Sequence, residues 1–173
     1  DAERHFQKAL ELQTNNAQAM AGAVKAAREL GEPEKAKILA DQFLFLYPDH
    51  AELSLLRAEM LLADQRPAEA AIDAKRALEQ MPFSPWAYTT HAQAPWELGN
   101  PEPAIVALYE ALKISPLNHH VRLRLTTCLL EVGRNAEATR ISAPLSRLLP
   151  DDVAAQEIYQ KARAALENER NKN

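Results

Sequence analysis

Pro48, Pro82, Pro116 and Pro150 stand at a constant interval of 34 residues, and no other feature constrains the fold as strongly. Ala36, Ala70, Ala104 and Ala138 keep the same step. So do Gly31, Gly99 and Gly133, with Gln65 in the missing place. A period of this length means a solenoid of helical pairs. Such an array spreads its core along its axis, each unit burying its apolar face on the next.

The ladder divides the chain into repeats 17–50, 51–84, 85–118 and 119–152. In the first, a helix over about 17–30 stops at Gly31 and a second restarts near Pro33. Gly past a helix end and Pro in the first turn of the next is the expected asymmetry. Each second helix then ends at a ladder proline, because proline disfavours helix in the residue before it. Residues 1–16 read as the second half of a repeat, with Ala2, Phe6 and Ala9 in the register of Ala36, Ala40 and Phe43. A solenoid does not naturally begin with half a unit, so the reading expects a piece of a longer protein or a disordered start. Residues 153–173 read as a capping helix. Val153, Ile158, Tyr159, Ala162, Ala165 and Leu166 form one stripe, and charged residues fill the rest.

Composition serves mainly to exclude. At 47% hydrophobic and 25% charged the chain is globular in character, and its net charge of −4 offers no basic footprint for nucleic acid. No apolar run reaches the roughly 18 residues of a membrane span. Cys128 is the lone cysteine and sits in an apolar helical stretch, which makes it a packing thiol and leaves the compartment, cytoplasmic or periplasmic, open.

These residues resemble the tetratricopeptide repeat family. Its pattern runs from a bulky then a small residue in the first helix, through a turn, to Ala, a bulky residue and Ala in the second, closing on Pro. Tyr88, Ala92, Gly99, Ala104, Leu108, Ala111 and Pro116 follow it, as do Met20, Val24, Gly31, Ala36, Ala40, Phe43 and Pro48. The Ala columns have a physical reason: helices approach to about 8–10 Å only where side chains are small. The resemblance implies an all-α, right-handed superhelix (an α-solenoid) of antiparallel pairs, with a groove lined by the first helices that holds a partner's peptide. Two residues depart from the pattern. Pro95 falls inside a first helix and crowds the carbonyl of His91; Pro144 falls inside a second helix. The expected consequence is either a kink absorbed by packing or a re-aimed Trp96.

In the helical frame the expected partner-binding groove contains Lys25, Leu55, Leu56, Glu59, Trp86, Thr89, Gln93, Trp96, Leu123, Arg124 and Thr127. The expected partner is a protein segment with bulky apolar side chains anchored near Leu55, Leu56, Trp86 and Trp96, because Trp dominates binding energy in desolvated pockets. The competing reading has both tryptophans filling seams between repeats. The family's carboxylate-gripping type does not fit: its places hold Ala21, Lys25, Leu56, Trp86 and Thr90, a single cation where several donors are needed.

No chemistry of catalysis or cofactor binding is expected. His119 and His120 adjoin on a helix start, pointing about 100° apart, and no HExxH, CxxC, phosphate loop or carboxylate pair accompanies them. Glu34, Glu69, Glu102 and Glu137 sit in first turns, where they complement the helix dipole. The sequence therefore reads as a non-enzymatic scaffold or adaptor without metal or cofactor, bacterial in character. Two alternatives stand: self-assembly into a homo-oligomer through the repeat ends, and a docking or regulatory segment of a larger bacterial protein, enzymatic or secretion-related.

Overall fold

The computed structural model describes residues 17–172, and among these every regular element is a helix. In chain order they are α1 (Ala17–Glu29), α2 (Pro33–Leu46), α3 (Ala51–Ala63), α4 (Pro67–Gln80), α5 (Pro85–Glu97), α6 (Pro101–Ile114), α7 (His119–Glu131), α8 (Asn135–Leu148) and α9 (Val153–Arg170). The half repeat expected at 1–16 lies outside the described residues. The fold is an all-α array of helix pairs.

Local chemistry repeats with the ladder. Each first helix from α3 onward starts at a side chain that accepts from the third residue on: His50 Nδ1 from Leu53 N at 3.2 Å, Ser84 Oγ from Ala87 N at 3.3 Å, Asn118 Oδ1 from Val121 N at 3.1 Å, and Asp152 Oδ1 from Ala155 N at 2.7 Å. A cap of this kind is worth about 1 kcal/mol. The second helices instead begin at Pro33, Pro67 and Pro101, where the missing N–H costs nothing. Between helices of a pair the chain passes through left-handed φ at Gly31, Gly99 and Gly133 (75°, 76° and 76°). Gln65 adopts 59° at the equivalent place, without glycine's freedom.

The chain divides into two compact units between Leu98 and Gly99. In the first, α3 is the centre: it packs on α1, α2, α4 and α5. Met20, Val24, Ala36, Ala40, Phe43, Leu53, Leu56 and Met60 form its main core, and Leu55, Ala77 and Ala87 a smaller one. In the second unit α6 packs on α7, α7 on α8 and α9, and α8 on α9. There Ile105, Leu108, Leu125, Leu129 and Leu145 are the large buried side chains, and Cys128 lies among the buried residues. The columns Ala36–Ala70–Ala104–Ala138 and Ala40–Ala74 are fully buried, so any larger side chain there would push helices apart.

The helices α5 and α8 run on through their interior prolines, Pro95 and Pro144. Close to Pro144 the neighbouring helix supplies a contact of its own. Proline deprives the Arg140 carbonyl of its donor, and one residue on, Arg122 of α7 reaches across to donate Nη1 to the Ile141 carbonyl at 2.9 Å. The same guanidinium donates Nε to the Pro116 carbonyl at 2.8 Å. Burial lowers the Arg122 pKa.

Candidate functional site

The first unit presents one face built from its first helices, α1, α3 and α5, and that face is laced by charge. Lys25 pairs with the Glu52 carboxylate. Arg28 Nη1 donates to Glu59 Oε2 at 2.7 Å, and Trp86 Nε1 donates to Glu59 Oε1 at 2.6 Å. Lys25 Nζ also sits 5.7 Å from the centroid of the Trp86 ring. Glu59, on the central helix, therefore holds a donor from each neighbour. These four charged side chains remain 30–46% exposed, so each ion pair contributes no more than about 1 kcal/mol. Their effect is on orientation: Glu59, itself paired with Arg28, ties the indole N–H to α3.

Several expected groove residues share this face. Thr89 donates its hydroxyl to the Trp86 carbonyl at 2.9 Å, and Gln93 donates its amide to Glu97 at 2.8 Å. Trp96 is half-buried near the end of α5. Leu55 and Leu56 require correction. They are 0% and 2% exposed, members of the two cores of the first unit, and the body of Trp86 packs on both cores. They form the floor beneath the tryptophan and offer a partner nothing to touch. In the second unit Leu123 and Thr127 are half-buried on α7 and Arg124 is exposed, with Thr127 donating to the Leu123 carbonyl at 3.0 Å.

The sequence reading placed Lys25 and Glu59 on this wall but missed their pairing across helices. Its signal was available: Lys25–Glu52 and Glu59–Trp86 are both separated by 27 residues and Arg28–Glu59 by 31. Each spacing is the repeat less one or two helical turns, the offset at which stacked first helices meet.

A second network lies among α2, α3 and α4. Arg57 of α3 grips Asp73 of α4 through two bonds, Nε to Oδ2 at 2.7 Å and Nη2 to Oδ1 at 2.8 Å, and donates Nη1 to Asp41 of α2 at 2.9 Å. Asp73 is 2% exposed. Its hydrogen bond is the main cause that raises the Arg57 pKa. An open cavity of about 260 Å³ adjoins this cluster, with Lys37, Met60, Asp64 and Ile72 in its wall. Its charged side chains are already engaged with one another, Lys37 with Asp64 at 2.6 Å for instance.

Among the described residues no group of three or more His, Cys, Asp or Glu is placed to hold a metal ion. The Cys128 thiol is pushed up in pKa by burial, which suits packing and not nucleophilic attack. Among the described residues no helix is long and apolar enough to cross a membrane.

Paired helices and a face built from successive first helices define the class of helical-repeat proteins. Residues 22–85 and 96–166 both match tetratricopeptide repeat profiles, well over half of the chain together. The chain belongs to the tetratricopeptide repeat family. Among solved structures it is similar in fold to TTC0263, a thermophilic protein of this family from Thermus thermophilus, at 18% identity and a TM-score of 0.76, covering 94% of this chain and 89% of that one. It is similar to YrrB, described as a protein of this family with an unusual peptide-binding site, at 20% identity and a TM-score of 0.76, covering 94% and 84%. A family member from Parabacteroides merdae matches at 18% identity and a TM-score of 0.77, covering 96% and 66%. The family and fold are typically those of non-catalytic scaffolds.

Proposed function

We propose that the face formed by α1, α3 and α5 takes up a segment of a partner protein, with Trp86 at its centre and Thr89, Gln93 and Trp96 continuing it along α5. The observation that carries this reading is the half-buried indole tied to Glu59 at 2.6 Å on an otherwise solvated wall. A tryptophan held in one orientation presents a large contact area with little entropy left to lose on binding. YrrB, the similar fold described as having a peptide-binding site, supports a peptide as the kind of ligand. The two tryptophans give the segment bulky apolar side chains, and Leu123, Arg124 and Thr127 are a separate contact set proposed for the second unit. A docking segment of a larger protein would use the same surface. Self-assembly through the repeat ends is the second reading, and at the α9 end the exposed residues include Val153 beside the polar Gln160, Arg163 and Glu167.

Selection of displayed random peptides against the full chain tests the reading. Selected peptides should lose binding to Trp86→Ala and to Gln93→Arg, the second of which leaves the core untouched, and keep it with Glu79→Ala on the exposed side of α4. Unchanged binding to both face variants would place the partner site elsewhere.

A further inference from the structure

The Lys25 ammonium occupies a small cage: the Trp86 ring on one side, the Glu52 carboxylate against it, and Glu59 anchoring the indole. The lysine comes from α1, while the cage walls come from α3 and α5. A π face and a carboxylate together are a receptor for a cation. We infer that this cage is a recognition subsite for a basic side chain, Lys or Arg, of the partner segment, and that Lys25 is a resident occupant which the partner displaces. The inference rests on the reading that this face binds a polypeptide, and it adds what that polypeptide carries beside its apolar residues.

Charge complementarity selects the basic occupant. Once Lys25 swings out, Glu52 has lost its cation, while Glu59 remains neutralised by Arg28 at 2.7 Å. An acidic segment would bring like charge against Glu52, which is unfavourable in a partly desolvated site. An apolar side chain would leave that carboxylate facing it without compensation. Exchange of one ammonium for another keeps both interactions. The cage then contributes selectivity more than affinity, because the gain is set against the loss of the Lys25 contact. Lys25 is 46% exposed at its side chain and sits on a flexible stem, so it can leave without disturbing the core.

Displacement fixes the sign of a mutational effect. For a ligand that binds Lys25 directly, removing the lysine weakens binding. For a ligand that evicts it, removal tightens binding. Matched synthetic peptides, alike in length and in apolar residues and carrying Lys, Glu or Gln at one place, are titrated calorimetrically against the full chain. The Lys peptide should bind best, and Lys25→Ala should tighten it by roughly two- to fivefold, the weight of an exposed cation–ring contact. Glu52→Gln should weaken it by a similar factor, and Trp86→Ala should weaken it further. Lys25→Ala weakening the Lys peptide, or the Glu or Gln peptide binding better while still depending on Trp86, would overturn the cage and leave the peptide-binding face intact. No binding by any of the peptides, under conditions in which the chain is folded by circular dichroism, would overturn both.

Discussion

Removing Arg57 should damage the first unit far more than removing its partner Asp73, and removing both should restore most of the loss. The asymmetry follows from burial. Asp73 is 3% exposed at its side chain, while Arg57 keeps 27% and has Asp41 as a second acceptor at 2.9 Å. In Arg57→Met the Asp73 carboxylate stays buried with only Arg76, at 3.4 Å, near it. Stranding one partner of a buried pair costs about 3–5 kcal/mol, and the residual Arg76 contact puts this case near 3 kcal/mol. In Asp73→Leu, Arg57 keeps Asp41 and water, so the cost is about 1–2 kcal/mol, the value of charge-assisted hydrogen bonds at a part-solvated group. The double variant exchanges ions for packed apolar surface and should fall within about 1 kcal/mol of the parent. Urea unfolding of the full chain, read as the transition of the first unit, supplies the three differences. An Arg57→Met loss below about 1 kcal/mol, or an Asp73→Leu loss larger than the Arg57→Met loss, would refute the reasoning. The pair also bears on function, because Arg57 fastens the helix that carries Glu52 and Glu59 to α2 and α4.

Two further expectations concern backbone and pH. Gln65 pays for its left-handed φ of 59°, so Gln65→Gly should raise stability by up to about 1 kcal/mol, whereas Gly133→Ala should lower it by about 1 kcal/mol or more. Nothing lies within 4 Å of a Cβ built on Gly133, so that loss is one of backbone conformation alone, and paired thermal melts would contradict it if the two changes had the same sign. His91 is half-buried with Nδ1 unbonded, and burial, then the charge of Lys75, hold its pKa below the ordinary 6.5. The folded chain therefore takes up the proton less readily than the unfolded one. This site costs nothing above about pH 6.5, and stability falls as pH drops below it toward the folded pKa. His91→Gln should flatten that slope in urea midpoints measured across the range; an unchanged slope would remove His91 from the account.

The legible part of the molecule was what depends on backbone and on helix–helix distance. Ladder prolines, left-handed turn residues and buried Ala columns each act through a local constraint that recurs wherever the residue does, so the period alone reveals them. The face was less legible. Leu55 and Leu56 sit on the side of α3 that a single amphipathic helix would turn to solvent, but α3 is packed by four neighbours, and Leu53, Ser54, Leu55 and Leu56 are buried in succession. In a helix enclosed in this way apolar residues are buried between the polar positions Glu52, Arg57 and Glu59, so periodicity does not separate floor from surface. The salt ladder escaped for a related reason: its partners lie one repeat away and one or two turns back, an offset set by how the helices stack.

By itself the chain determined its repeat, its helix ends and its family, because those follow from short-range sterics and from small residues demanded at fixed steps. Only the tertiary structure decided which apolar residues are floor and which are surface, and that Lys25 rests against Trp86. Those outcomes depend on the distance and stagger between helices that are remote in sequence, and the free-energy differences between alternative side-chain placements there are of the order of an exposed ion pair.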